Sequence, residues 1–248
     1  TTPLTATGFG MQNGRTTTAG NDVINVTTAG ALVLAGGTLE GGSGGADTLN
    51  LATGANIAAA AMGAGASLIE TLVLATAAGT AATMTQAQHQ GFTTITASAG
   101  ADNLTITTAG AVTAAVGVET YTVSAGGANN VTVNAGQLGV NVTGNAANVT
   151  TVTVGGNAVT GTYALGNGAD VIVATTGANI TGVNAGALTT AETLNLTGTI
   201  TMTAAQYGNG TTTGLTTNAI INGGVADRIN ISDAFNAAID AQANVVET

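Results

Sequence analysis

A chain of 248 residues that is 44% hydrophobic but only 2% aromatic, with no Trp, lacks the large side chains that fill a wide globular core and suits a thin one, as in a solenoid or narrow sandwich. Thirty-eight glycines beside a single proline exclude collagen, and the density of Thr, Val and Ile argues against low-complexity disorder. Twelve acids, two arginines and no lysine give a net charge of −10, which argues against nucleic acid and anionic membrane surfaces as partners and fits a protein that meets cations.

Cysteine is absent, as in many exported bacterial proteins and unlike small secreted animal domains. The Ala-rich run Ala58–Ala66 is too short, and too broken by glycine, to cross a bilayer.

In chain order, Thr1–Gly20 shows no sustained alternation and reads as a lead-in or cap over about residues 1–18. Ala19-Gly20-Asn21-Asp22-Val23-Ile24-Asn25-Val26 is the first unit of turn, acid and strand. A short strand is expected at Ala31–Leu34. Thr38–Leu51 is the second unit, with four glycines before Asp47 and then Thr48-Leu49-Asn50-Leu51 in strict alternation. Ala52–Ala66 reads as a loop or short helix, limited by Gly63 and Gly65.

A second word, Glu-Thr followed by an alternating strand, occurs at Glu70, Glu119 and Glu192. Two of its copies precede Met84-Thr85-Gln86-Ala87-Gln88 and Met202-Thr203-Ala204-Ala205-Gln206. There Thr85 and Thr203 are suited to N-cap short helices. Gly-Ala-Asp or Val-Ala-Asp and a strand come next, at Asp102 and Asp227. This order repeats from Ile69 to Ile106 and from Ala191 to Ile231, an internal repeat. Between the copies, the strands of Gly126–Val154 follow one another faster, with Asn129 in the acid position, and Gly168-Ala169-Asp170 restores the acid. The expected divisions are 19–106, 107–190 and 191–248. The closing Asn244–Thr248 reads as the start of a further Glu-Thr strand, so a piece of a longer protein is expected.

Gly41-Gly42-Ser43-Gly44-Gly45-Ala46-Asp47-Thr48-Leu49-Asn50-Leu51 resembles the glycine- and aspartate-rich (RTX-like) repeats of proteins exported by bacterial type I secretion, with one extra residue before Asp47. Together with Ala19–Val26 it is most similar to surface-layer proteins and large surface adhesins of Gram-negative bacteria. The resemblance implies a parallel β-solenoid, calcium in the turns, an extracellular place on the bacterial cell surface, and a lattice or adhesive scaffold as the role.

Asp22 and Asp47, then Asp227 and Asp233, are the expected metal ligands, because calcium takes six to eight oxygens, several from carboxylates. The chain departs from the pattern in having one acid per unit, so a continuous ladder of sites is not expected. Asp102 and Asp170 read as turn formers that bond their own backbone. Glu70, Glu119 and Glu192 recur with a structural unit, which favours strand starts or turn-bonding groups over a glycosidase pair. His89 is alone and reads as a helix-surface residue. No nucleophile–base set or phosphate loop is recognisable, so no catalytic residue is assigned.

The expected fold is all-β: a parallel β-solenoid of short strands with two or three short peripheral helices, near Met84–Gln90 and Met202–Tyr207 and again around Phe235 and Ile239. A pair of β-sandwiches is the alternative fold. The expected role is a self-assembling surface-layer subunit that folds and assembles with calcium, its partner being itself and possibly a cell-surface glycan. A repeat section of a large adhesin or biofilm-matrix protein is the second reading, and a polysaccharide-processing β-helix enzyme the third.

Overall fold

The computed structural model describes residues 4–6, 20–203 and 220–232, with interruptions at 28, 32–37, 43, 64–67, 125, 135, 138, 146, 166–168 and 186–192. Most of the N-terminal lead-in, the second helix beyond Thr203, the third around Phe235, Glu192 and Asp233 lie outside the described residues.

The architecture is a parallel β-solenoid, as expected. After Leu4–Ala6 (β1), one coil carries Val23–Val26 (β2), Gly30–Ala31 (β3) and Thr38–Leu39 (β4). The next carries Thr48–Leu51 (β5), Ala55–Asn56 (β6) and Ala61–Met62 (β7), and the third Thr71–Leu74 (β8), Ala81–Met84 (β9) and the helix Gln86–Gly91 (α1). Thr94–Thr96 (β10), Asn103–Ile106 (β11), Gly110–Thr113 (β12) and Thr120–Val123 (β13) follow. From there the coils hold two strands each: Asn129–Val133 (β14) with Asn141–Thr143 (β15), Thr150–Val154 (β16) with Asn157–Ala164 (β17), and Val171–Ala174 (β18) with Ala178–Ala185 (β19). Thr193–Leu196 (β20) with Thr199–Met202 (β21), and Ile220–Asn222 (β22) with Arg228–Ile231 (β23), complete the described strands.

The chain forms two compact units, Thr1–Thr108 with Ala115–Thr122, and Ala109–Ala114 with Val123–Thr248. The first contains a sheet ordered β1-β2-β5-β8-β10, a second ordered β13-β11-β9-β6-β3, and the pair β4-β7. The second contains β12-β14-β16-β18-β20-β22 and β23-β21-β19-β17-β15.

Alternation makes the core. Inward residues stack in register: Ile24, Leu49 and Leu72 form one column, and Val26, Leu51 and Leu74 the next. In the second unit the columns are Val131, Val152, Ile172 and Leu194, with Val133, Val154, Ala174 and Leu196 beside them. Each fully buried Leu, Ile or Val contributes about 1.5–3 kcal/mol by leaving water, and the parallel register repeats that contribution coil after coil. Outward positions carry Thr and Asn, some of them bonded along the stack, as from Asn50 Nδ2 to Asn25 Oδ1 at 2.7 Å.

Glycine is required where coils approach each other closely. Gly45 has φ +111°, and a Cβ there would strike the Gly20–Asn21 backbone. A Cβ on Gly161 would meet the Val140 carbonyl.

Two expectations are corrected. The segment expected as a loop or helix at Ala52–Ala66 holds the short strands β6 and β7, because Gly54 at φ +81° turns the chain back into the ladder. One helix stands among the described residues, α1, with Thr85 as its N-cap in a full capping box with Gln88.

Candidate functional site

One position recurs at the mouth of strand after strand. Asp22, Asp47 and Glu70 stand before β2, β5 and β8; Thr80, Asp102 and Glu119 before β9, β11 and β13; Thr150 opens β16 and Asp170 stands before β18. Such a residue turns its N–H and C=O toward the next coil. Its carbonyl enters the strand ladder: Thr48 N–H donates to Asp22 C=O at 2.9 Å, and Thr71, Thr120 and Thr193 N–H to Asp47, Asp102 and Asp170 at 3.0 Å. Its N–H points where the next coil is still turning, so no backbone carbonyl is there to take it.

A side-chain oxygen takes it instead. Asp47 Oδ1 accepts Asp22 N–H at 2.8 Å, and Glu70 Oε2 accepts Asp47 N–H at 2.7 Å. Asp102 Oδ1 accepts Thr80 N–H at 2.6 Å, and Glu119 Oε2 accepts Asp102 N–H at 2.7 Å. Asp170 Oδ1 accepts Thr150 N–H at 2.7 Å, and Asp227 Oδ1 accepts Gly198 N–H. The donor lies 25, 23, 22, 17, 20 and 29 residues upstream in turn, one coil away each time. The acids are struts between coils, each satisfying a buried donor that would otherwise cost about 1–3 kcal/mol.

This corrects the local reading of Asp102 and Asp170, whose main partners lie on the preceding coil. Asp102 adds local bonds from Ser98 N–H at 2.6 Å and Ser98 Oγ at 2.8 Å. Asp170 has no such help: its Oδ2 is buried without a hydrogen-bond partner, as is Thr150 Oγ1. Burial pushes the Asp170 carboxyl above its ordinary range, against the Thr150 N–H. Burial also pushes up Asp47, opposed by the Asp22 N–H and reinforced by the charges of Glu70 and Asp22. Two backbone N–H groups, from Gly224 and Gly198, hold Asp227 below its ordinary value.

Of the four expected metal ligands, Asp22 and Asp47 meet at one corner on adjacent coils, both buried. Asp227 belongs to the second unit, and Asp233 lies outside the described residues. Among the described residues no three His, Cys, Asp or Glu side chains are grouped to hold a metal ion. Glu70 and Glu119 bond backbone N–H groups, as the structural reading of the Glu-Thr word expects, but stand before strands of different sheets.

His89 is corrected from the helix surface to the interior, 5% exposed. Its Nε2 lies 3.3 Å from Tyr121 Oη, which accepts Ala115 N–H at 2.7 Å, and the two rings meet edge to face. Burial lowers the imidazole to about 4 and raises the Tyr121 phenol.

A second corner device is absent from the sequence reading. Gln88 Oε1 accepts Thr85 N–H, while its Nε2 donates to Ile57 and Ala60 C=O at 2.7 and 2.8 Å. Gln137 repeats this without a helix: Oε1 accepts Asn134 N–H, and Nε2 donates to Ala114 C=O at 2.9 Å. The shared spacing, Thr85-x-x-Gln88 and Asn134-x-x-Gln137, is the signal that could have revealed it.

No Asp or Glu among the described residues is exposed. Comparison with known families, curated proteins and solved structures finds no match.

Proposed function

We propose that this chain is a structural protein without catalytic activity, a self-assembling surface-layer subunit of the bacterial cell exterior. The observation that carries the reading is where the charge goes. A chain of net charge −10 turns its described acids inward as struts between coils and leaves Thr, Asn and small residues on its outer faces. Soluble monomers are kept apart by exposed, interspersed charge. A surface without it favours close lateral contact between copies, and coils held together by backbone and strut bonds make a stiff tile.

Calcium enters the reading as the extracellular cation that acts through Asp22, Asp47, Asp227 and Asp233, completed by backbone carbonyls and water. A ligand that binds the folded form alone adds its binding free energy to folding.

Electron microscopy and small-angle scattering of the purified chain test this. Ordered sheets or filaments are expected at millimolar calcium, dispersing on chelation. A calcium-saturated monomer that persists at high concentration overturns the assembly reading. Reproducible turnover on a panel of polysaccharides overturns the structural one. Imaging of the native cell surface separates a lattice, seen as a regular array, from an adhesin, seen as isolated fibres.

A further inference from the structure

In the first unit, β4 and β7 pair in parallel with Thr38 opposite Ala61 and Leu39 opposite Met62. On the third coil α1 stands in that part of the winding in place of a strand. Between β7 and α1 lies a cavity of about 340 Å³, lined by Ala60, Met62, Leu68, Ile69, Ala87 and Gln88 among others.

Successive peptide groups of a parallel strand address opposite neighbours. Gly63 N–H donates to Leu39 C=O at 2.8 Å, so this rung of β7 faces β4. Ala60 C=O faces the other way and is taken by Gln88 Nε2 of α1 at 2.8 Å. Gln88 thus replaces one ladder bond of the missing strand. The next rung on that side belongs to Met62, whose N–H and C=O have no partner among the described residues. The polar side chains of the lining are already engaged: Gln88 by Thr85, Ile57 and Ala60, and the Thr85 hydroxyl by Gln88 N–H. The named lining residues carry no charge.

We propose that this cavity binds a short, uncharged, extended peptide segment with small apolar side chains, taken up as a third strand beside β7. Met62 supplies the paired donor and acceptor, and Leu68, Ile69 and Ala87 supply apolar contact. Strand addition draws affinity from main-chain bonds and specificity from the pockets beside them. The volume lies at the small end of the range for ligand pockets, enough for a few residues at most.

The test is a titration of the full-length ¹⁵N-labelled chain with acetyl-Ala-Val-Ala-amide, followed by amide NMR. A saturable shift of the Met62 amide is expected, and at least a tenfold loss of affinity in Ala87→Phe, which fills the cavity. Gly91→Leu is the second variant, because a Cβ at Gly91 meets nothing within 4 Å; the same loss is expected in it if Ala87→Phe does not fold. An unmoved Met62 amide up to the solubility of the peptide overturns the proposal. So does unchanged affinity in a folded variant, or displacement of the peptide by cyclohexane at equal concentration, which would mark a merely apolar hollow. The outcome is independent of whether the chain assembles.

Discussion

The two units solve the same problem with different amounts of chain. In the first, a full coil runs through strands on three stretches, and the struts Asp47 and Glu70 reach back 25 and 23 residues. In the second, a coil holds two strands, and Asp170 reaches back 20. The strut is the same in both, a carboxylate taking the N–H at the mouth of the strand before. What changes is its company. Asp102 in the first unit accepts from Thr80 and twice from Ser98, whereas Asp170 in the second accepts from Thr150 and leaves an oxygen buried without a partner. Strand pairing sets the spacing of coils, and the length of the turns between strands is free to vary around it.

That contrast sets the largest expected effect. Asp102→Ala strands two backbone N–H groups and a hydroxyl, and should cost about 3–5 kcal/mol in urea unfolding, at about 1–3 kcal/mol per orphaned donor. Asp170→Ala strands one N–H and also removes an unpartnered buried oxygen, so about 1–2 kcal/mol is expected. Equal losses would break the comparison.

Acid should separate the units next. His89 is lowered to about 4 from 6.5, so the folded form binds fewer protons than the unfolded one. Its contribution is present above pH 6.5 and is lost as pH falls toward 4, roughly 3 kcal/mol in all at about 1.4 per unit. Asp170 and Asp47 run the other way. Their raised values add stability that is full below the ordinary Asp range and lost as pH rises through the folded value. Hydrogen exchange across pH 7 to 4 should therefore show the first unit loosening before the second. His89→Phe should shrink that difference; an unchanged difference would detach it from this residue.

Gly45→Ala should cost about 2–3 kcal/mol through overpacking at a coil-to-coil contact, read as a lowered thermal midpoint. Gly161→Ala in the second unit should match it, since there too the obstacle is backbone. The smallest effect belongs to the outer face. Asn50→Ala removes the bond to Asn25 at 2.7 Å, and Asn222→Ala the looser one to Asn195 at 3.2 Å. Each should cost about 0.5 kcal/mol, the lower end for a solvent-accessible hydrogen bond, with the first the larger by double-mutant cycle.

The strands themselves were legible. Thr48–Leu51, Asn129–Val133 and Thr150–Val154 alternate so strictly that one face must be buried, and alternation is a local property of side-chain direction. The capped start of α1 was legible for the same reason, since Thr85 acts within one turn. The solenoid followed from the lack of large side chains together with the recurrence of turn, acid and strand. The acids could be located in sequence but not given their partners. Asp102 meets Thr80 22 residues upstream because the parallel register brings them together. A turn-forming Asp and a coil-bridging Asp look alike in one dimension. His89 was misplaced because a short helix shows two faces and only packing against Tyr121 selects the buried one. Pattern and composition thus determined which residues turn inward and how the chain winds. Register, which depends on summed turn lengths rather than on any single motif, decided which oxygen meets which N–H and where the missing strand beside β7 leaves room.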